Sequence, residues 1–260
     1  MKRAFSITEL LVVIAVTSVV LSIMASSLGG ARRAAHAAVC LSNQRQLVSG
    51  WSMYATDYQD RAMPLAYTDP ATIGLGDRVY WWGSDGAATG QIDPASGFLA
   101  PYIGDAVGKS VYECPRQPWG TYKPQGPTGE ATSTYGYNGY FLSPPYTPGW
   151  SASIGHRPWQ RVASIMQPAS LFVFADTLLP GAPSNNALLD PPMLFVSGQW
   201  TMNFSPTTAF RHGEKAAIAA RADGSVSTAR AGAIIDTKNL IGSVGESNGP
   251  HYVPDWEEWK

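Results

Sequence analysis

The sequence predicts an α+β protein. One long N-terminal helix, apolar on all sides over its first half, packs by its second half on a small antiparallel β-sheet head with long Gly/Pro-rich loops. Three observations carry this expectation. From Phe5 to Leu28 the chain holds one charged residue, Glu9. From Ala31 to Tyr58 apolar residues recur at helical spacing. Beyond residue 60 that period disappears. With 26 Gly, 20 Pro and only 14% charged residues in the chain, turns and short strands are favoured there over long helices.

The apolar run sets the frame. Phe5 to Leu28 is 24 residues, and a helix of about 20 crosses a bilayer. Lys2 and Arg3 precede it and no acid does, which puts the N-terminus on the cytoplasmic side and the rest of the chain outside. Glu9 is the anomaly, because a lone carboxylate in a membrane span costs about 2.5 kcal/mol or more. A chain-terminal amine would be a partner: cleavage between Ala4 and Phe5 would free one, able to pair with Glu9 of a neighbouring copy. Two other readings stay open. One is an ordinary secretory signal, with Lys2-Arg3 as its basic region and Ala25-Ser26-Ser27 as its cleavage site. The other is an anchor that is never cut. The apolar region of an ordinary signal has no use for Glu9.

A short basic leader, a small residue, then Phe with Glu fifth in the count and an apolar run after it resembles the class III signal of type IV prepilins and type II secretion pseudopilins. The resemblance implies that prepilin peptidase cuts between Ala4 and Phe5 and that Phe5 is N-methylated. It implies an inner-membrane, single-pass protein, its N-terminus cytoplasmic and its head periplasmic or extracellular. Homologous subunits would then assemble through the N-terminal helix, with Glu9 in register. Ala4 departs from the family's usual Gly.

The expected organisation is a leader over 1–4, a membrane or filament-core helix over 5–28, an amphipathic continuation over 29–60 and a β-rich head over 61–260. Gly29-Gly30 weakens the helix and allows a kink. Ala34, Ala38, Leu41, Val48, Trp51, Ala55 and Tyr58 then form one apolar stripe, so a single helix of roughly 80 Å is expected to end near Tyr58. In the head, Val79–Trp82 reads as a short strand and 97–103 as a helical turn. Cys114 arrives by a strand over 110–114. Asn138-Gly139 between aromatic runs signals a hairpin. Ser170–Asp176 reads as a buried strand ending in an acid, and 177–208 as an irregular excursion. Ala216–Ala222, a turn at Asp223-Gly224 and Ser225–Thr228 complete the pattern.

Taken together, these pieces are similar to the large prepilin-like proteins abundant in planctomycetes and verrucomicrobia. The shared residues are Cys40-Leu-Ser-Asn-Gln-Arg-Gln-Leu47, Tyr54-Ala-Thr-Asp57, Val111-Tyr-Glu-Cys114-Pro115, Tyr135–Gly139, Phe172–Asp176, and Arg211-His212-Gly213 followed by Ala222-Asp223-Gly224. In that family nine residues separate the His from the Asp-Gly. Here ten separate His212 from Asp223, and an extra residue in a strand flips later side chains unless a bulge absorbs it.

The candidate sites are few. Cys40 and Cys114 are an even pair in a chain expected to face an oxidising compartment, so a disulfide is expected; two buried thiols are the alternative. His212, Asp223 and Gly224 read as a structural His and a hairpin turn, since no nucleophile or third ligand stands at motif spacing. No metal site is expected. The weak candidates are Asp57, Asp60 and Asp69 at the helix exit, whose hard oxygens suit calcium, the one cofactor considered. Tyr80, Trp81, Trp82, Trp119, Trp150, Trp159 and Trp200 either fill the core or bind glycans. A net charge of −1 with no basic stripe argues against a nucleic-acid partner. The expected function is a structural pilin-like or pseudopilin-like subunit, not an enzyme. The alternative is a membrane-anchored polysaccharide-binding protein that uses the helix only as an anchor.

Overall fold

The computed structural model describes residues 6–67, 76–86, 92–104, 111–117, 133–143, 159–181, 185–196 and 199–255. Helix α1 (Ile7–Asp57) is one element of 51 residues, about 77 Å long at 1.5 Å per residue. Its start is a capping box. The Ser6 amide donates to Glu9 Oε2 at 2.9 Å and the Thr8 amide donates to Ser6 Oγ at 3.3 Å, so orphan donors of the first turn are satisfied locally. The helix runs unbroken through Gly29 and Gly30, as the single continuous helix expected from the sequence.

The two halves of α1 meet different surroundings. The large apolar side chains from Ile7 to Leu28 stand open. Thr17 and Ser18 return their hydroxyls to the carbonyls of Val13 and Ile14, which leaves no polar group of theirs demanding a partner outside the helix. Residues 28–35, with Arg32 and Arg33, are also exposed. Burial begins at Cys40 and recurs at Asn43, Gln44, Leu47, Val48, Trp51, Tyr54 and Ala55, the spacing of one helical face. The docked stretch therefore starts about two turns later than the stripe suggested, and Ala34 and Ala38 remain in the open.

That face lies on the central sheet. Its strands are β5 (Tyr135–Tyr137), β6 (Phe172–Asp176), β10 (Ala216–Arg221) and β11 (Val226–Arg230), all antiparallel in the order β11-β10-β6-β5. Small residues on β10 let the helix approach closely, and Gln44 Nε2 donates to the Ile218 carbonyl at 2.8 Å. Both faces of the sheet are covered. Ile218 and Ala220 join Leu47, Val48 and Trp51 on the helix side. Ala219, Ala175 and Phe172 pack on Phe141, Tyr252 and Val253 on the other. A register shift between Ala220 and Arg221 leaves Val173 as the added residue on β6, so Val173 and Phe174 both reach the helix-side core.

Smaller sheets surround this core. β1 (Ala66–Tyr67), β2 (Arg78–Tyr80), β3 (Gly83–Asp85) and β4 (Ile92–Asp93) form one, so the Val79–Trp82 strand is seen one residue early, with Trp81 and Trp82 in the turn after it. A short helix over Ala100–Ile103 matches the expected turn. β9 (Thr208–Ala209), β12 (Ala233–Asp236) and β13 (Ile241–Ser243) form another sheet. Within the supposedly irregular excursion, β7 (Met193–Val196) pairs with β8 (Gln199–Met202), which corrects that reading.

Two further readings are corrected. Asn138-Gly139 makes no hairpin: β5 ends at Tyr137 and a helical turn, Gly139–Leu142, follows. Asn138 is buried and its Nδ2 donates to the carbonyls of Phe172 (2.9 Å) and Tyr252 (2.8 Å). The Gly is required because a Cβ there would stand 2.7 Å from the Leu65 side chain. Cys114 arrives in a turn rather than a strand, its amide donating to Thr134 Oγ1 at 2.6 Å.

Candidate functional site

Four places in the chain converge beneath α1. Cys40 comes from the helix, Cys114 from the turn at 111–117, Asp176 from the end of β6 and His212 from the short link before β10. One ligand atom from each lies within 4.8 Å of all the others, and all four residues are buried. His212 Nε2 is 3.2 Å from Asp176 Oδ2 and 3.6 Å from Cys114 Sγ.

Each side chain is held by its surroundings. Asp176 Oδ2 accepts from the Ile218 amide at 2.7 Å. The His212 amide donates to the Ala216 carbonyl at 2.9 Å, closing a tight link through Glu214 and Lys215, both at positive φ. Asn43 Nδ2 donates to the Glu113 carbonyl at 3.0 Å and fixes the turn that carries Cys114 to the helix. Arg211 lies 3.8 Å from Asp176 and donates through Nη2 to the carbonyls of Thr177 (2.6 Å) and Thr134 (3.2 Å). Among the described residues, Asp176 Oδ1, Arg211 Nε and Nη1 and His212 Nδ1 are buried and have no hydrogen-bond partner.

The cluster tunes its own members. Burial pushes the Cys114 thiol well up, with Cys40 and Asp176 adding to it and His212 and Arg211 opposing. Burial alone would lower the His212 imidazole, but Asp176 and Cys114 outweigh it and hold the ring up to about 9. Burial likewise opposes the Arg211 charge, and Asp176 overrides it.

The expected Cys40–Cys114 disulfide is not present. Both are free, fully buried thiols. The chain does bring them side by side, but Cys114 Sγ faces the imidazole, and no sulfur–sulfur bond of about 2.0 Å joins the pair.

His212 and Asp223 do not share a site. His212 enters the cluster, while Asp223 accepts from the Ser225 amide at 2.9 Å in the β10–β11 turn, with Gly224 at φ +84°. The ten-residue spacing is not absorbed between β10 and β11, whose register is regular; the one irregularity on β10 is the added residue of β6. Arg221 rests its guanidinium over the Phe172 ring and donates to Ser227. Asp57 accepts from Tyr102 Oη at 3.0 Å, and Asp60 from the Ala163 amide at 3.0 Å, so each has a structural use. Ala4, Phe5, Asp69, Trp119, Trp150 and His156 lie outside the described residues.

Trp81 and Trp82 are buried, Tyr80 and Trp200 half-buried, and the half-buried Trp159 donates to the Ala62 carbonyl at 2.8 Å. Trp81 sits among Tyr112, Tyr137 and Phe174 with ring centroids 5.1–6.4 Å away. Trp81, Trp82, Tyr112, Tyr137 and Phe174 belong to the core, and Tyr80 and Trp200 pack against it.

Sequence reasoning paired Cys40 with Cys114, named His212 apart from them and missed Asp176 as their companion. The available signal was a wholly buried strand that ends in a carboxylate, for a buried acid needs a partner. Comparison with family models, curated proteins and solved structures finds no match to this chain.

Proposed function

We propose that the chain is a structural pilin-like subunit. In this reading it is held in the inner membrane by the first half of α1, cut between Ala4 and Phe5 by prepilin peptidase, and assembled through that helix into a filament of the type II secretion or type IV pilus kind. The observation that carries it is the helix itself. A segment long and apolar enough to span a membrane, with none of its most apolar window buried in its own head, continues without a break into the core of that head. A cleaved secretory signal would have no reason to be one rigid body with a domain it leaves.

Glu9 supports the same reading. In one subunit its carboxylate accepts from the Ser6 amide, so the acid is tolerable near the start of a span. In a packed bundle of such helices the Phe5 amine of a neighbouring copy offers a stronger, charge-assisted partner, and pairing between copies sets axial register. The burial of Trp81 and Trp82 in the head speaks for a structural module over a glycan-binding one.

Two measurements test the proposal together. Mass spectrometry of the mature protein should find Phe5 as a methylated N-terminus. Glu9→Ala, compared at matched membrane levels, should keep insertion and cleavage and lose filament assembly. An N-terminus at Met1 or Leu28, or equal assembly by the variant, would discard it and leave an anchored binding protein in its place.

A further inference from the structure

We propose that Cys40, Cys114, Asp176 and His212 form a closed, four-coordinate site for a structural Zn2+ that joins helix α1 to the central sheet. The inference is independent of the filament reading, because it concerns only the interior of the head.

Donor chemistry comes first. Two thiols, an imidazole and a carboxylate are the ligand types of tetrahedral Zn2+, while Ca2+ and Mg2+ take oxygens alone. Donors about 2.0–2.3 Å from a tetrahedral centre stand roughly 3.3–3.8 Å from one another. The 3.2 Å and 3.6 Å separations at His212 Nε2 match those edges, and the full set falls within 4.8 Å, so small side-chain movements would complete the tetrahedron.

Charge balance agrees. Two thiolates and one carboxylate around Zn2+ leave one negative charge, and Arg211, 3.8 Å from Asp176, supplies the matching positive one. The ion would give the two thiolates and the Asp176 carboxylate a shared positive partner, and Arg211 would balance the charge that is left. Filling this space with apolar side chains would otherwise be the cheaper way to build a core.

Position explains the use. Cys40 is the first fully buried residue of α1, where the helix enters the head. The other ligands come from the turn at 111–117, from β6 and from the link into β10, parts far apart in sequence that a single ion would hold in one arrangement. All four residues are buried, which leaves no open coordination position for a substrate and makes the site structural rather than catalytic.

The experiment uses the full chain purified in detergent without chelator or reductant. Elemental analysis should give one zinc per chain. Exchange with Co2+ should give the intense visible bands of a tetrahedral ion and a thiolate-to-cobalt charge-transfer band. Removing the ion with chelator should lower the melting temperature, and Zn2+ should restore it. Asp176→Asn, which keeps the shape of the side chain, should weaken metal affinity at least about tenfold. Cys40→Ala should abolish the charge-transfer band or reduce it sharply. Should a variant fail to fold, the wild-type metal content and Co2+ spectrum still decide. A metal-free chain that takes up no Co2+ while both thiols titrate as free would overturn the proposal. So would a Cys40–Cys114 disulfide in the isolated protein, or a Co2+ spectrum without thiolate character.

Discussion

Asp190 shows how much a single half-buried group can shape the behaviour of the head. It sits beside Leu189, which packs in the outer core, and its amide donates to Thr207 Oγ1 at 2.9 Å. Burial pushes its carboxyl up to about 7, and the Asn186 amide group at 3.4 Å offsets this only in part. The folded state thus holds the Asp190 proton more tightly than the unfolded chain does. Its stabilising effect is complete below the ordinary carboxylate range and fades as pH rises through about 7. Asp190→Asn keeps the shape and the backbone bond but cannot ionise. Thermal melts at pH 5 and pH 8 should therefore show the wild type losing more stability between the two than the variant; parallel pH slopes would refute this. The raised carboxyl was not legible in the sequence, where Asp190 looks like any loop acid before Pro191-Pro192. Asp176 was half legible, as the acid closing an apolar strand, but its companions are separated from it by tens of residues and carry no common spacing. Asn138-Gly139 misled for a similar reason. The dipeptide is a good turn former, yet here the Asn side chain bridges Phe172 and Tyr252 and the Gly makes room for Leu65, so tertiary packing overrides the local preference.

Helix α1 was the most legible element because its apolar run and the stripe that follows it together span 51 residues, while strands of two to six residues give the period of two little room to show. The alanines of β10 carry almost no pattern of their own; their role emerges only when α1 lies across them. Along the helix, burial changes abruptly near Cys40, and the two halves should respond differently to the same kind of substitution. Trp51 is fully buried, and its indole N–H donates to Tyr137 Oη at 3.3 Å. Trp51→Ala should cost about 3–5 kcal/mol of head stability, since truncation of a large buried ring loses its transfer energy and leaves a cavity. Leu11 is 57% exposed and belongs to none of the core clusters of the described residues. Leu11→Ala should leave the unfolding free energy of the head unchanged within about 0.5 kcal/mol. Urea unfolding followed by tryptophan fluorescence reads both. Equal effects would mean that the outer half of the helix contributes to the fold of the head, contrary to its exposure.

At the scale of the whole molecule, the chain is divided by the environment each part requires. The head has its own core, with both faces of the central sheet covered, and α1 packs on it from Ala37 onward. The outer stretch of α1 satisfies its backbone within the helix and offers apolar side chains on every side, which is what a lipid or a bundle of like helices accommodates and water does not. Between them, residues 29–35 carry Arg32 and Arg33 and are exposed, a polar collar at the boundary of the two environments. A deletion series should locate that division. Removing residues 1–28 takes away the apolar surface and none of the buried contacts, so the remaining chain should be soluble without detergent and melt within a few degrees of the full-length protein. Removing residues 1–43 takes Cys40 and Asn43 as well. That strips a thiol from the buried cluster and the side chain that holds the Glu113 carbonyl, so the melting transition should fall steeply or vanish. Circular dichroism melts of the two truncated chains make the comparison. If the shorter deletion unfolded the head, the outer helix would be part of its fold, and the exposure of Ile7–Leu28 would need a covering surface on the head itself.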